Sequence, residues 1–175
     1  MTALGQPKQE RNDPMAIYLK YDGVPGNVKT KGFENQIELN SASFGAGRNM
    51  GMSKRSDVNR GHAEPHLSEI SVTKMWDDAA SSLLLQDALA GVGDKKATIT
   101  FTTTSKNVVL GFMTFELEGV VVSNYSLGTG GESEPSESFN MNYNKITVTP
   151  YEVKDGKATK KSVVIYALPE MQANG

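Results

Sequence analysis

The sequence predicts a mainly β fold, either a compact β-barrel or two packed antiparallel sheets, with one flanking α-helix. Segments in which polar and apolar residues alternate occur along most of the chain, and turns rich in glycine, proline and asparagine separate them. One segment, in the middle of the chain, has helical spacing. A lone helix among seven or eight strands usually flanks or plugs a sandwich or barrel.

Alternation of apolar residues at every second position indicates a strand when a turn follows. The strands predicted in this way are residues 16–21, 35–44, 66–75, 96–104, 108–126, 138–153 and 161–167. Within 66–75, Ile70, Val72 and Lys74 share one face. The segment 108–126 is long enough for one bent strand or for two strands that break at Gly119. Residues 154–160 are predicted to form a turn.

The helix is predicted over residues 79–90, with Asp78 as its N-cap and Gly91 as its C-terminal stop. Just before it stands Trp76, the one tryptophan of the chain. A lone tryptophan between a strand and a helix is more often a core or interface anchor than a platform for stacking a ligand. We therefore assign Trp76 as an interface anchor.

Composition narrows the class of protein. At 175 residues the chain has the size of one domain with its own core. Hydrophobic residues make up 38% and charged residues 22%, which argues against a disordered chain and against a membrane protein. A net charge of -2 gives no positive field for nucleic acid. The sequence has no cysteine, so disulfides and thiolate nucleophiles are impossible.

We divide the chain into a polar arm over residues 1–14, a folded domain over 15–168 and a tail over 169–175. The arm is interpreted as disordered, as an expression remnant, or as sequence upstream of a natural start at Met15. It holds no continuous apolar stretch, so we expect synthesis in the cytoplasm without a signal peptide. Apolar runs elsewhere are far shorter than a bilayer span, and we expect no membrane insertion.

The segment from Arg48 to Glu64 is predicted to be a long polar loop with four basic and two acidic residues. Loops of this length are uncommon inside a compact domain. Those that occur are usually functional or become ordered on a partner. The segment is therefore the most informative irregular part of the sequence.

One candidate metal site is visible, because His62, Glu64 and His66 lie within five residues. Catalytic zinc sites commonly use these ligands, but their paired histidines usually sit one helical turn apart. Pro65 prevents a helical turn here, so we interpret the histidines as solvated. We expect no bound metal and no cofactor.

Other catalytic patterns are weak. The sequence contains no G-x-S-x-G nucleophile elbow. Glu132, Glu134 and Glu137 lie close together, but in a glycine- and serine-rich segment without the rigid walls that a glycosidase needs. We interpret them as a solvated loop tip. Residues 128–131 lack the lysine and the helix of a phosphate cradle and are predicted to form a hairpin loop.

Several blocks of sequence occur in an order that a known family shares. They are residues 15–21 followed by Gly-Val-Pro-Gly at 23–26, then residues 37–47, 70–83, 115–125 and 128–143. Together they resemble the haemolysin-coregulated protein (Hcp) family of bacterial type VI secretion, over about residues 15–168. The chain departs from the family in its polar arm and at Leu83, because many relatives have proline after the serine that corresponds to Ser82.

The resemblance implies a β-barrel with a flanking helix that assembles as a homo-hexameric ring. Rings would stack into a tube, driven through a contractile sheath with its spike proteins, and small effector proteins would travel in the lumen. The protein itself would be exported through the type VI apparatus. It would be a structural subunit and not an enzyme.

The resemblance also implies residues for assembly. The loop that contacts the next ring in the family corresponds to the segment with Arg48, Met50, Met52, Lys54 and Arg55. For the lumen we choose Ser41 and Ser43 from the residues themselves, because a wide pore must be lined by side chains that tolerate water. In the predicted strand 35–44 they share a face with Ile37 and Leu39.

Two other functions remain open from the sequence. One is a metal-dependent effector hydrolase that uses His62, Glu64 and His66. The other is a monomeric β-sandwich module that binds carbohydrate or a protein partner. Metal analysis, with activity tests of His62→Ala and His66→Ala, separates the first from a ring. A monomeric mass in solution would favour the second.

Overall fold

The computed structural model describes residues 15–48, 65–131 and 133–168. Twelve strands and one helix lie in these ranges. They are β1 (Ala16–Tyr21), β2 (Ile37–Leu39), β3 (Ser41–Ser43), β4 (Ala46–Arg48), β5 (Pro65–Leu67), β6 (Ile70–Met75), α1 (Ser81–Ala90), β7 (Lys95–Ser105), β8 (Val108–Gly128), β9 (Ser136–Asn142), β10 (Lys145–Lys154), β11 (Lys157–Lys160) and β12 (Val164–Ala167).

The strands form two antiparallel sheets that share β8. Sheet A has the order β2-β1-β7-β8-β10, and β10 pairs in addition with β11 and β12. Sheet B has the order β8-β9-β6-β3. A separate two-stranded ribbon joins β4 to β5. The predicted class is confirmed in its second form, since the described strands build two packed sheets without closing into a barrel.

Strand β8 passes from one sheet into the other at Gly119. Its first half pairs with β7 and β10, and its second half pairs with β9. Gly119 has φ of 66°, and a Cβ there would lie 2.4 Å from the Asn144 side-chain nitrogen. Only glycine meets both conditions without strain. The segment is therefore one bent strand, which was one of the two alternatives that the sequence left open.

The prediction of one strand over residues 35–44 is wrong. Ile37 and Leu39 belong to β2 and are buried, whereas Ser41 and Ser43 belong to β3 and are exposed. The chain crosses from sheet A to sheet B at Asn40. The two sheets face each other, so the strand face that points into the core in sheet A points to solvent once the chain has entered sheet B. Ile37 and Leu39 therefore lie in the core, whereas Ser41 and Ser43 lie on the surface.

Three other predicted boundaries change. The segment 66–75 splits into β5 and β6, and the segment 138–153 splits into β9 and β10. The predicted turn over 154–160 is shorter, because Asp155 and Gly156 form the turn with positive φ and β11 follows. Ile70, Val72 and Lys74 share one face of β6 as predicted, and all three are buried.

The core lies between the two sheets. Its buried side chains come from both layers, among them Leu19, Ile37, Ile99 and Leu117 of sheet A and Ile70, Val72, Val122, Phe139 and Met141 of sheet B. Each of these residues alternates along its strand with an outward residue, which is why the sequence showed period-2 patterns.

Helix α1 begins after a turn that Asp77, not Asp78, stabilises. The Ala79 amide donates to Asp77 Oδ1 at 2.9 Å, whereas Asp78 accepts from Asn27 Nδ2 at 3.0 Å. The prediction of Asp78 as N-cap is therefore wrong. Gly91 ends the helix as predicted. A larger residue does not fit at this position, because a Cβ there would lie 2.5 Å from the Asp87 carbonyl oxygen.

The helix packs against β8, and its buried side carries Ser81, Leu84 and Asp87. Asp87 Oδ2 accepts from the Tyr21 hydroxyl at 2.5 Å and from the Val122 amide at 3.0 Å, and Oδ1 pairs with Lys95. The helix thereby satisfies a backbone donor on β8. Burial and the bond to Asp87 raise the pKa of Tyr21. None of the described residues belongs to a helix with the length and apolarity needed to cross a membrane.

Candidate functional site

The outer face of sheet B is an unbroken field of small, uncharged polar side chains. The strand registers place them in two rows across four strands: Ser41, Thr73, Ser138 and Ser126 in one row, and Ser43, Ser71, Asn140 and Asn124 in the next. Seven of the eight are exposed and the eighth is half-buried. We call these eight residues the neutral face.

The neutral face follows directly from alternation in each strand. Val72 and Phe139, which point inward between the outward residues of β6 and β9, are only 1% exposed. The short outward side chains bond to near neighbours: Ser41 Oγ lies 2.6 Å from Thr73 Oγ1, and Ser43 Oγ donates to the Ser71 carbonyl. Such a surface offers hydrogen bonds to water without attracting a charged partner.

The predicted lumen residues Ser41 and Ser43 both belong to this face, at its edge on β3. The prediction found two of its eight members. The outward residues of β6 and β9 could be recognised from alternation, but their alignment with β3 depends on strand register. Register is a property of pairing that one sequence does not display.

Directly beneath the neutral face lies a buried ion pair. Lys74 Nζ donates to Glu137 Oε2 at 2.6 Å, and both side chains are at most 1% exposed. Lys74 also donates to Ser81 Oγ of α1, and the Tyr125 hydroxyl donates to Glu137 Oε1 at 2.5 Å. Burial and the adjacent carboxylate raise the pKa of Tyr125. The four side chains link β6, β8, β9 and α1.

This pair overturns the interpretation of Glu137 as part of a solvated loop tip. Glu137 is the second residue of β9 and points inward, opposite Lys74 in the register. Burying a carboxylate is costly unless a partner neutralises it, and Lys74 is that partner. Glu134 is exposed as expected, and Glu132 lies outside the described residues.

The predicted stacking segment is described only at its base. Arg48 is exposed and ends β4, where it pairs with Pro65, so it is a strand residue and not the first residue of the loop. Met50, Met52, Lys54 and Arg55 lie outside the described residues. The base of the segment is therefore a two-stranded ribbon.

Trp76 lies at the C-terminal end of β6, opposite the end at which the β4–β5 ribbon lies. It follows β6 directly, is 47% exposed, and donates its amide to the Pro135 carbonyl. It borders an open cleft of about 470 Å³ whose other walls include Lys29, Glu38 and Asp77. The six residues of β6, about 20 Å in length, separate this cleft from the β4–β5 ribbon.

The residues of the alternative metal site are only partly described. His66 is exposed on β5 beside Gly47, while His62 and Glu64 lie outside the described residues. The three described ranges contain no group of three or more histidine, aspartate or glutamate side chains with the geometry to hold a metal ion.

Over the described ranges, the fold and the neutral face define a class: a two-sheet β protein with one helix that presents a broad, uncharged surface. The family model for "Type VI secretion system effector, Hcp" matches residues 18–149. The chain belongs to this family, as the resemblance in the sequence predicted. A comparison with curated protein sequences gave no match.

Solved structures of the same system are similar to the chain. A "type six secretion system protein" has a TM-score of 0.77 at 25% identity, covering 89% of this chain and 96% of that one. Hcp1 from Salmonella typhimurium has a TM-score of 0.67 at 17% identity, with 88% and 95% covered. A type VI secretion system effector from Yersinia pestis has a TM-score of 0.63 at 16% identity, with 87% and 99% covered.

Proposed function

We propose that this chain is a structural subunit of the type VI secretion tube and not an enzyme. Six copies form a ring, rings stack, and the neutral face lines the bore. The observation that carries this proposal is the neutral face itself, in which eight small polar side chains are contiguous across four strands. Membership of the Hcp family supports it.

A bore through which other proteins pass has to stay wet and release its cargo. Apolar side chains on such a wall favour dewetting or adhesion, and charged side chains hold proteins of opposite charge. Hydroxyl and amide groups on short side chains avoid both effects. The neutral face therefore fits small effector proteins as transient cargo, held by hydrogen bonds of modest strength.

The two ends of sheet B carry different features, which supports the stacking of rings. Identical rings stacked in the same direction bring opposite ends of their subunits together. The β4–β5 ribbon with Arg48 is at one end of β6, and Trp76 with its cleft is at the other. We assign the ribbon and the segment with Met50, Met52, Lys54 and Arg55 to stacking, and Trp76 to anchoring that contact.

The remaining parts of the proposal follow the family. The sheath surrounds the tube and spike proteins cap it, while the subunit is made in the cytoplasm and exported through the type VI apparatus. No metal or cofactor takes part. The domain spans residues 15–168, between the arm and the tail.

The proposal is tested by molar mass in solution and by negative-stain imaging of the full chain. Annular particles of about six subunits are expected. Because the chain has no cysteine, Ser138→Cys introduces a unique site for a bulky thiol-reactive gold label on the neutral face. Glu116→Cys, exposed on the outer face of sheet A, is the matched control. The Ser138 label should appear inside the annulus and the Glu116 label outside it.

Solitary subunits at high protein concentration, with no annuli, would contradict the proposal and favour a monomeric binding module. Annuli in which the Ser138 label lies on the outer rim would keep the ring but remove the neutral face from its bore.

A further inference from the structure

The outward side of α1 carries apolar residues that the described part of the subunit leaves exposed. Leu85, Leu89 and Val92 are 42%, 79% and 80% exposed. Leu85 and Leu89 lie four residues apart and share one side of the helix, and Val92 follows just after its C-terminal end at Gly91. We call these three residues the helix flank.

A second exposed apolar group lies where the last strand begins, with Val163 directly before β12 and Val164 and Ile165 as its first two residues. Val163, Val164 and Ile165 are 39%, 63% and 61% exposed. Among the described strands β12 pairs only with β10, so its other edge presents unpaired backbone groups. We call these three residues the strand flank. Apolar side chains on an open strand edge promote association with another chain.

The two flanks lie on opposite sides of β8. One side of β8 is bordered by β7 along its first half and by α1 along its second, where the Val122 amide donates to Asp87. The other side is bordered by β10 and β9, and β12 lies beyond β10. A ring requires this arrangement, because each subunit must offer two different surfaces to its two neighbours.

The charges around the flanks have opposite signs. In the segment 77–95, which contains the helix flank, Asp78 and Asp94 are exposed acidic residues, whereas Asp77 and Asp87 are buried and Lys95 pairs with Asp87. The segment 152–168, which contains the strand flank, has four lysines and two acidic residues. Two copies that meet helix flank to strand flank therefore attract each other, whereas contacts between like flanks are repelled.

We propose that the strand flank of one copy docks against the helix flank of the next copy and that this contact closes the ring. The inference rests on the proposed ring and names the surfaces that form it. The contact covers six exposed apolar side chains, shields the open edge of β12 and pairs an acidic segment with a basic one.

The experiment uses one disrupting substitution in each flank of the full chain. Leu89→Arg places a cation against the basic strand segment, and Ile165→Asp places an anion against the acidic helix segment. Each variant alone should sediment as a single subunit with a folded far-UV spectrum. A mixture should associate at a ratio of one to one, because an intact strand flank on the first variant meets an intact helix flank on the second.

Val108→Arg is the matched control. Val108 is 48% exposed at the β7–β8 turn, outside both flanks, and its variant should keep wild-type mass. If Leu89→Arg and Ile165→Asp also keep the annuli of the wild type, the ring stands and this inference is overturned. If both dissociate but do not combine on mixing, the two flanks do not contact each other and the inference is overturned as well.

Disulfide trapping gives a second measurement that does not depend on disruption. The double variant Leu89→Cys, Val164→Cys should form covalent oligomers up to the ring when it is oxidised at low concentration, whereas either single variant should not. Wild-type annuli with no covalent oligomers in the double variant would overturn the inference. Absence of annuli in the wild type would instead contradict the proposed function.

Discussion

The two sheets place their charges on opposite sides. Sheet A carries charged residues on its outer face, where Lys96, Glu118 and Lys145 lie side by side in the register and Lys145 pairs with Glu118 at 2.7 Å. Sheet B carries its cross-strand ion pair, Lys74 with Glu137, on the inner face. On the outer surface of sheet B, the two rows of the neutral face therefore carry no charged side chain.

The difference shows how one alternating pattern produces two kinds of surface. Both sheets have an apolar inner layer and a polar outer layer, as antiparallel strands with one solvated face require. What distinguishes them is where the ionised groups go. An outer ion pair costs little to form and contributes little, whereas an inner ion pair is costly to bury and has to be fully hydrogen-bonded.

The largest effect is expected at the inner pair. Glu137→Gln or Lys74→Met alone leaves one charge buried without its partner and should lower the free energy of unfolding by about 3–5 kcal/mol. The double variant removes both charges and keeps an acceptor for Tyr125, so it should be more stable than either single variant. Urea unfolding followed by the fluorescence of Trp76, at one protein concentration, measures all three. A double variant whose loss equals the sum of the single losses would refute the pairing.

A smaller effect is expected at Asp87, which brings a buried charge from α1 onto β8. Burial alone would raise the pKa of Asp87, but hydrogen bonds from Lys95, Tyr21 and the Val122 amide outweigh it and lower the pKa. A carboxyl whose pKa is lowered in the folded state contributes stability above its unfolded pKa of about 4, and this is lost as the pH falls through the folded value.

Asp87→Asn should therefore cost about 1–3 kcal/mol at pH 7. It should also flatten the loss of stability that begins as the pH falls below the unfolded pKa of about 4, because the variant has no carboxylate to protonate there. Urea unfolding at pH 7 and at pH 3 compares the free energy of unfolding of Asp87→Asn with that of the wild type. Equal acid sensitivity of variant and wild type would assign the acid response to other carboxylates.

The smallest effect is expected at the outer pair. Lys145 hydrogen-bonds Glu118 and lowers the pKa of that carboxyl, but both side chains are well exposed to solvent. Glu118→Gln should leave the urea midpoint within experimental error of the wild type, because solvent screens an exposed pair. A loss comparable to that of Glu137→Gln would show that the two sheets do not differ as described.

The sequence predicted the fold class and residues that share one face of a strand, because alternation is a local property. Ile70, Val72 and Lys74 were placed on one face correctly. The sequence could not reveal that the chain crosses between the sheets at Asn40. The alternation continues through Asn40, but the strand face that is buried before it is exposed after it.

Glu137 shows the same limit for charged residues. Its neighbours in sequence are polar and favour a solvated loop, and its partner Lys74 is 63 residues away. Which charges are buried depends on contacts between distant strands, and so does the alignment of Ser41 with Thr73 and Ser138. A pattern within one strand does not contain that information.

The 21 residues of β8 belong to both sheets without interruption. A force applied to one layer of the subunit is therefore transmitted to the other through covalent backbone, and the layers cannot slide past each other unless the bend at Gly119 changes. In the proposed tube, a push along the axis therefore acts on both sheets of a subunit together.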